Sequence, residues 1–100
     1  MREYLYSLRL VRGDMLQTGP TAAEQTVVAE HFGYLQDLTA KGRIILVGRT
    51  LTADENTMGL AVFRAESEDE ARRIMNEDPA VKKRIMTGAL YPFKVVLLGK

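Results

Sequence analysis

The stretch RIILVGRTLTADENTMGLAVFRA, residues 43–65, decides how this chain folds. Residues 43–51 and 57–65 are two runs rich in β-branched and aliphatic side chains, a composition that suits a pleated, half-buried strand. The segment between them, Thr52-Ala53-Asp54-Glu55-Asn56, is short and polar, so the two runs are expected to form a hairpin. Within the first run Ile44, Ile45, Leu46 and Val47 follow one another without interruption. An unbroken apolar run, in place of alternation, is expected where both faces of a strand are buried.

Working outward from the hairpin, a helix is expected on each side. Upstream, Thr21-Ala22-Ala23-Glu24 has the spacing of a capping box, in which the Thr hydroxyl and Glu carboxylate satisfy free amides at a helix start. The helix that follows has a predicted inward stripe of Val28, His31, Phe32, Leu35, Leu38 and Thr39. Gly42 is its expected stop, because glycine adopts the left-handed conformation that closes a last turn. Downstream, Ser67-Glu68-Asp69-Glu70 repeats the capping logic and begins a helix with Ala71, Ile74 and Met75 inward. Asp78-Pro79 then starts a new short helical turn, with Asp as cap and Pro at the first helical position.

The two ends supply the remaining strands. Residues 4–11 place Tyr4, Tyr6, Leu8 and Leu10 on one face, and residues 90–98 form the expected last strand. The order strand, helix, strand, strand, helix, strand is the α+β, ferredoxin-like βαββαβ two-layer sandwich, with both helices on one face of the sheet. Two helices cover only one face, yet Ile44 to Val47 and Val95 to Leu98 are apolar on both sides. Sheet-to-sheet packing with a second copy is therefore expected, and a two-fold homodimer is the default symmetry.

Bulk properties exclude more than they assign. One hundred residues form a single domain, residues 1–100, and 14 basic against 13 acidic residues leave a net charge of +1, with no field to gather nucleic acid or anionic membrane. Without Cys, and with one His, neither a disulfide framework nor an all-protein zinc site is expected; no metal or cofactor is implied. The first eleven residues carry Arg2, Glu3 and Arg9, unlike the apolar core of a secretory signal. No run has the length of a membrane helix, and a cytoplasmic location is expected. Gly13, Gly19 and Gly42 form no phosphate-binding loop, and Ser7 and Ser67 lack the context of a hydrolase nucleophile. Arg72, Arg73, Lys82, Lys83 and Arg84, interspersed with acids, read as a solvated helix face.

Three residues stand out as candidates for chemistry. His31 lies on the inward stripe, where an imidazole needs partners for its ring nitrogens; the alternative is a hydrogen-bonded histidine at the core edge. In the expected topology the helix bearing His31 meets the end of the second helix, which brings His31 toward Asp78. A carboxylate on one ring nitrogen fixes the tautomer and leaves the other for proton transfer. Asp78 before Pro79 is explained first as a helix cap, and one carboxylate has enough lone pairs for both roles. Arg49, in an otherwise apolar strand, either sets its guanidinium over an anionic ligand or reaches solvent at the hairpin.

Taken together, these residues resemble the YCII-related (YciI-like) domain family. The likeness rests on His31-Phe32-Gly33-Tyr34-Leu35 followed by Gly42-Arg43-Ile44-Ile45-Leu46-Val47-Gly48, on Glu66 to Ala71, on Asp78-Pro79-Ala80-Val81, and on Tyr91-Pro92-Phe93-Lys94. It implies a ferredoxin-like dimeric α/β barrel with a His and Asp active site, carried onto His31 and Asp78; Arg49 and Tyr34 are the candidate substrate contacts. The implied activity is that of a lyase, dehalogenase or isomerase acting on small ring-derived organic acids by acid-base chemistry. A non-catalytic small-ligand-binding or dimerisation module is the alternative. The chain departs from the family pattern at Val28, where many relatives carry Arg one turn before the His, and at Arg49, where Pro is common.

Overall fold

The computed structural model describes residues 1–99. Its elements run β1 (Arg2–Leu10), α1 (Met15–Thr18), α2 (Ala22–Ala40), β2 (Ile44–Arg49), β3 (Met58–Ala65), α3 (Glu68–Glu77), α4 (Pro79–Lys82) and β4 (Met86–Phe93). The four strands form one antiparallel sheet in the order β2-β3-β1-β4. This is the α+β, ferredoxin-like arrangement, with the long helices α2 and α3 connecting strands across one face.

Local chemistry accounts for most boundaries. Thr21 accepts from the Glu24 backbone N–H at 3.1 Å while the Glu24 side chain accepts from Thr21 N–H at 2.8 Å, closing the capping box of α2. At the other end Gly42 has φ +76°, its N–H bonds the Thr39 carbonyl at 3.0 Å, and Arg43 N–H bonds the Leu38 carbonyl at 3.0 Å, the paired bonds of a Schellman stop. Ser67 caps α3 by accepting from Glu70 N–H at 3.1 Å. Glu70 in turn accepts from Glu66 N–H, one residue earlier than a strict capping box requires, and also pairs with Arg43.

The core lies between the inner sheet face and the helices. Tyr4, Tyr6 and Leu8 of β1 pair with Phe63, Ala61 and Gly59 of β3, and with Leu35, Ile44, Ala71 and Met75 they make one buried cluster. The Tyr6 and Phe63 rings meet edge to face at 5.5 Å. Gly88 of β4 belongs to the same layer, because a Cβ there would lie 2.9 Å from Met75 Sδ and 3.4 Å from Val81 Cγ2. The absence of a side chain lets α3 and α4 approach the sheet.

Three expectations need correction, and one short helix adds to them. The last strand runs over Met86–Phe93 and not over residues 90–98, because its ladder with β1 runs from Leu10↔Met86 to Glu3↔Phe93 and no farther. Residues 94–99 continue without a sheet partner in this chain, and Val96, Leu97 and Leu98 are exposed. The inward stripe of α2 runs through Val27, Val28, His31, Tyr34, Leu35 and Leu38, while Phe32 and Thr39 are exposed. Apolar residues are scattered around this helix, so it is only weakly amphipathic and its phase is poorly marked. The connection after β1 contains a turn of helix, α1, whose Met15 is buried. Finally, Ile44 to Val47 are consecutive because β2 carries a bulge: Ile44 pairs with Phe63 and Leu46 with Val62, with Ile45 as the extra residue.

Candidate functional site

The site begins with a carboxylate that has no contact with water. Asp78 closes α3 and opens α4, and its side chain is 0% exposed. Its Oδ1 accepts from the Ala80 backbone N–H at 3.0 Å, the capping bond that Asp before Pro implies. Tyr6, from the centre of β1, donates its hydroxyl to Oδ2 at 2.8 Å. His31, midway along α2, places Nδ1 at 2.7 Å from Oδ1 and 2.9 Å from Oδ2. Three elements far apart in sequence thus converge on one carboxyl group, and no buried side-chain polar atom among the described residues is left without a partner.

This geometry sets the imidazole's tautomer. A carboxylate only accepts, so Nδ1 carries the hydrogen and Nε2 is left as the free ring nitrogen. His31 is 14% exposed and forms part of the wall of a cavity of about 640 Å³. Buried Leu8, Leu35 and Ala61 line it, together with the exposed apolar side chains of Leu16, Phe32 and Val47. Arg49, Gln25 and Thr57 add polar groups to these otherwise apolar walls. A volume in the range of about 300–1,000 Å³, apolar with a few convergent polar groups, is characteristic of small-molecule sites.

The connection over residues 11–21 closes one side of this cavity, contributing Met15, Leu16 and Pro20. Arg12 holds it in place. Its guanidinium donates to both Glu24 carboxylate oxygens at 3.0 and 2.6 Å, to Thr18 Oγ1 at 2.7 Å and to the Gly19 carbonyl at 2.8 Å. The hydrogen bond from Arg12, aided by the Thr21 N–H, holds the Glu24 carboxyl well below the usual carboxylate range, at about 2.

His31 and Asp78 are therefore brought into hydrogen-bond contact, and Arg49 shares the cavity with His31. Tyr34 is placed elsewhere. Its hydroxyl donates to the Ile74 carbonyl of α3 at 2.7 Å and the residue is not among those lining the cavity; burial, followed by the charges of Glu77 and Asp78, raises its phenol to about 12. Tyr6 was not singled out by the sequence patterns. The available signal was its central place on the inner face of β1, since a buried Tyr hydroxyl usually needs a hydrogen-bond partner. Among the described residues no cluster of His, Asp and Glu could hold a metal ion, and no helix is long and apolar enough to cross a membrane.

Comparison with known proteins places this geometry in context. Among solved structures the chain is similar to 5-chloro-2-hydroxyhydroquinone dehydrochlorinase (TftG) from Burkholderia phenoliruptrix AC1100, in complex with 2,5-dihydroxybenzoquinone. The two share 25% identity over 91% of this chain and 93% of that chain, with a TM-score of 0.66. A structure described as a candidate chlorite dismutase aligns at TM-score 0.51 and 13% identity, over 90% of this chain and 43% of that one, and shows the fold alone. No curated protein sequence matches the chain. The model of the YCII-related domain matches residues 9–94, a span that takes in His31, Arg49 and Asp78, and the chain belongs to the YCII-related domain family.

Proposed function

We propose that this protein is a small-molecule enzyme in which His31 is the general acid-base group, Asp78 orients it, and Arg49 steadies the anionic part of an organic acid. The observation that carries the reading is the bond from His31 Nδ1 to the buried Asp78 carboxylate, made by a residue that also lines an apolar cavity. Nε2 takes a proton from an acidic C–H or O–H of the substrate. A leaving group then departs with its electron pair, or the imidazolium returns the proton to another position. The first course is an elimination and the second an isomerisation. The likeness to TftG, whose name records loss of HCl from a chlorinated ring, favours the elimination.

Arg49 is the proposed anion anchor. It is exposed on the cavity wall and makes no ion pair among the described residues. Val28 lines the same cavity, so a cation at position 49 serves the hollow where an Arg at position 28 is missing. The test is to screen ring-derived organic acids for binding by calorimetry and for turnover. Arg49→Ala is expected to weaken binding of a carboxylate-bearing hit by about 10-fold, the loss of one charge-assisted hydrogen bond, while leaving binding of its neutral amide unchanged. Equal affinity of Arg49→Ala and wild type for the acid would remove Arg49 from the site.

The working unit is proposed to be a homodimer in the cytoplasm. The sheet face away from the helices carries Leu5, Leu60, Leu46, Tyr91 and Phe93, the last three exposed, and a second copy is the simplest cover for such a surface. Light scattering is expected to give twice the chain mass, shifting toward the monomer in Tyr91→Lys. A monomeric wild type would dismiss the dimer. Fractionation of expressing cells checks the location, and recovery with the membrane or secreted fraction would refute it.

A further inference from the structure

We infer that Tyr6 is a positioning residue for this site: its hydroxyl engages Oδ2 of Asp78, fixes the plane of the carboxylate, and so sets the orientation and strength with which the carboxylate holds Nδ1–H of His31. The inference rests on the reading of His31 as the acid-base group, and its geometry is independent of any substrate.

A carboxylate held by one partner can rotate about its Cβ–Cγ bond and offer either oxygen. Asp78 cannot do so cheaply. Ala80 N–H holds Oδ1 at 3.0 Å and the Tyr6 hydroxyl holds Oδ2 at 2.8 Å, which leaves the imidazole to approach both oxygens at 2.7 and 2.9 Å. The Tyr6 side is itself rigid. The residue is 1% exposed, lies at the middle of the innermost stretch of β1 between Tyr4 and Leu8, and rests edge-on against Phe63. Burial, followed by the neighbouring Asp78 charge, pushes the phenol far above its ordinary range, so it stays a hydroxyl donor at any working pH. The donor also shares the carboxylate's charge. Without it, the same oxygen turns wholly toward the imidazole.

The chain has a single histidine, so its ring nitrogens and Nδ1–H proton can be followed by NMR without assignment ambiguity. Tyr6→Phe removes one oxygen atom and is expected to move the Nδ1–H resonance downfield, as the carboxylate loses a competing donor. Tyr4→Phe is the matched control: the same strand and face, also buried and packed on Phe63, with no bond to Asp78. It is expected to leave the resonance in place. On a substrate turned over by the wild type, Tyr6→Phe is expected to lower kcat by about 10-fold with KM little changed, the equivalent of one hydrogen bond to a charged group. A Tyr6→Phe spectrum identical to wild type, or the same change in Tyr4→Phe, would reduce Tyr6 to a packing role. Should Tyr6→Phe fail to fold, fluorotyrosine at position 6 keeps the hydroxyl and alters its acidity, and an unmoved Nδ1–H resonance then overturns the inference. Failure of every organic acid to turn over would count against the enzymatic reading while leaving the NMR result to judge Tyr6.

Discussion

Replacing His31 with Ala is expected to lower kcat/KM on any turned-over organic acid by about 10² to 10⁴, the usual worth of one positioned acid-base group. Binding should change far less. The cavity is walled largely by Leu, Val, Phe and Met side chains that the substitution leaves in place, and the proposed anion anchor lies on a different element, at the end of β2. His31 is midway through a capped helix of 19 residues, where Ala is the best helix former, so the backbone is expected to persist and circular dichroism should show it. Turnover within a few-fold of wild type would dismiss the catalytic role. Ligand binding with no turnover in the wild type would instead fit a non-catalytic binding module built on the same pocket.

The second large effect concerns stability. Asp78→Ala is expected to cost about 3–5 kcal/mol, the range for leaving the partners of a buried charged group without it. The Tyr6 hydroxyl and the Ala80 N–H both lose their acceptor in a place water does not reach, and α4 loses its cap. For a domain whose whole stability is of the order of 5–15 kcal/mol, this is a large share, readable as a fall in the urea midpoint. Asp78→Asn separates the two roles. It keeps an oxygen acceptor and similar volume, and so should recover part of the stability, yet it no longer offers two accepting oxygens to Nδ1–H. A loss below about 1 kcal/mol for Asp78→Ala would contradict a carboxylate anchored by three elements.

Much of this was legible from local patterns, and the reasons for the exceptions are physical. Thr21 with Glu24, Ser67 with Glu70, Gly42, and Asp78 before Pro79 each act over a few residues, so their signatures survive in the sequence. The meeting of His31 and Asp78 followed from topology, because the order of strands and helices dictates which helix ends share an edge. Two kinds of information were hidden. The run Val95-Val96-Leu97-Leu98 has strand composition, but a strand exists only where a neighbour supplies a ladder, and the pairing of β1 with β4 stops at Glu3↔Phe93. Tyr6 lies 72 residues from Asp78, and no periodicity marks a bond across that distance. Tyr34 shows the converse: it belongs to the family-like His31 segment, yet it sits three positions along the helix and its hydroxyl donates to the Ile74 carbonyl.

The extra residue in β2 has a consequence for ligand recognition. Side chains alternate strictly along a strand, so an unbroken count from Ile44 would send Val47 and Arg49 to the same side as Leu5 and Leu60. Because Ile45 is accommodated as an insertion, the alternation is reversed beyond it, and Val47 and Arg49 fall opposite Ala61 and Gly59 on the helix-facing side. One surplus amino acid thus acts as a parity switch that delivers a positive charge to the hollow beside the imidazole. Were Ile45 instead paired with Val62 and the ladder continued without an insertion, the two surfaces of the outer half would exchange, trading the guanidinium for Gly48 without altering any residue that touches the histidine.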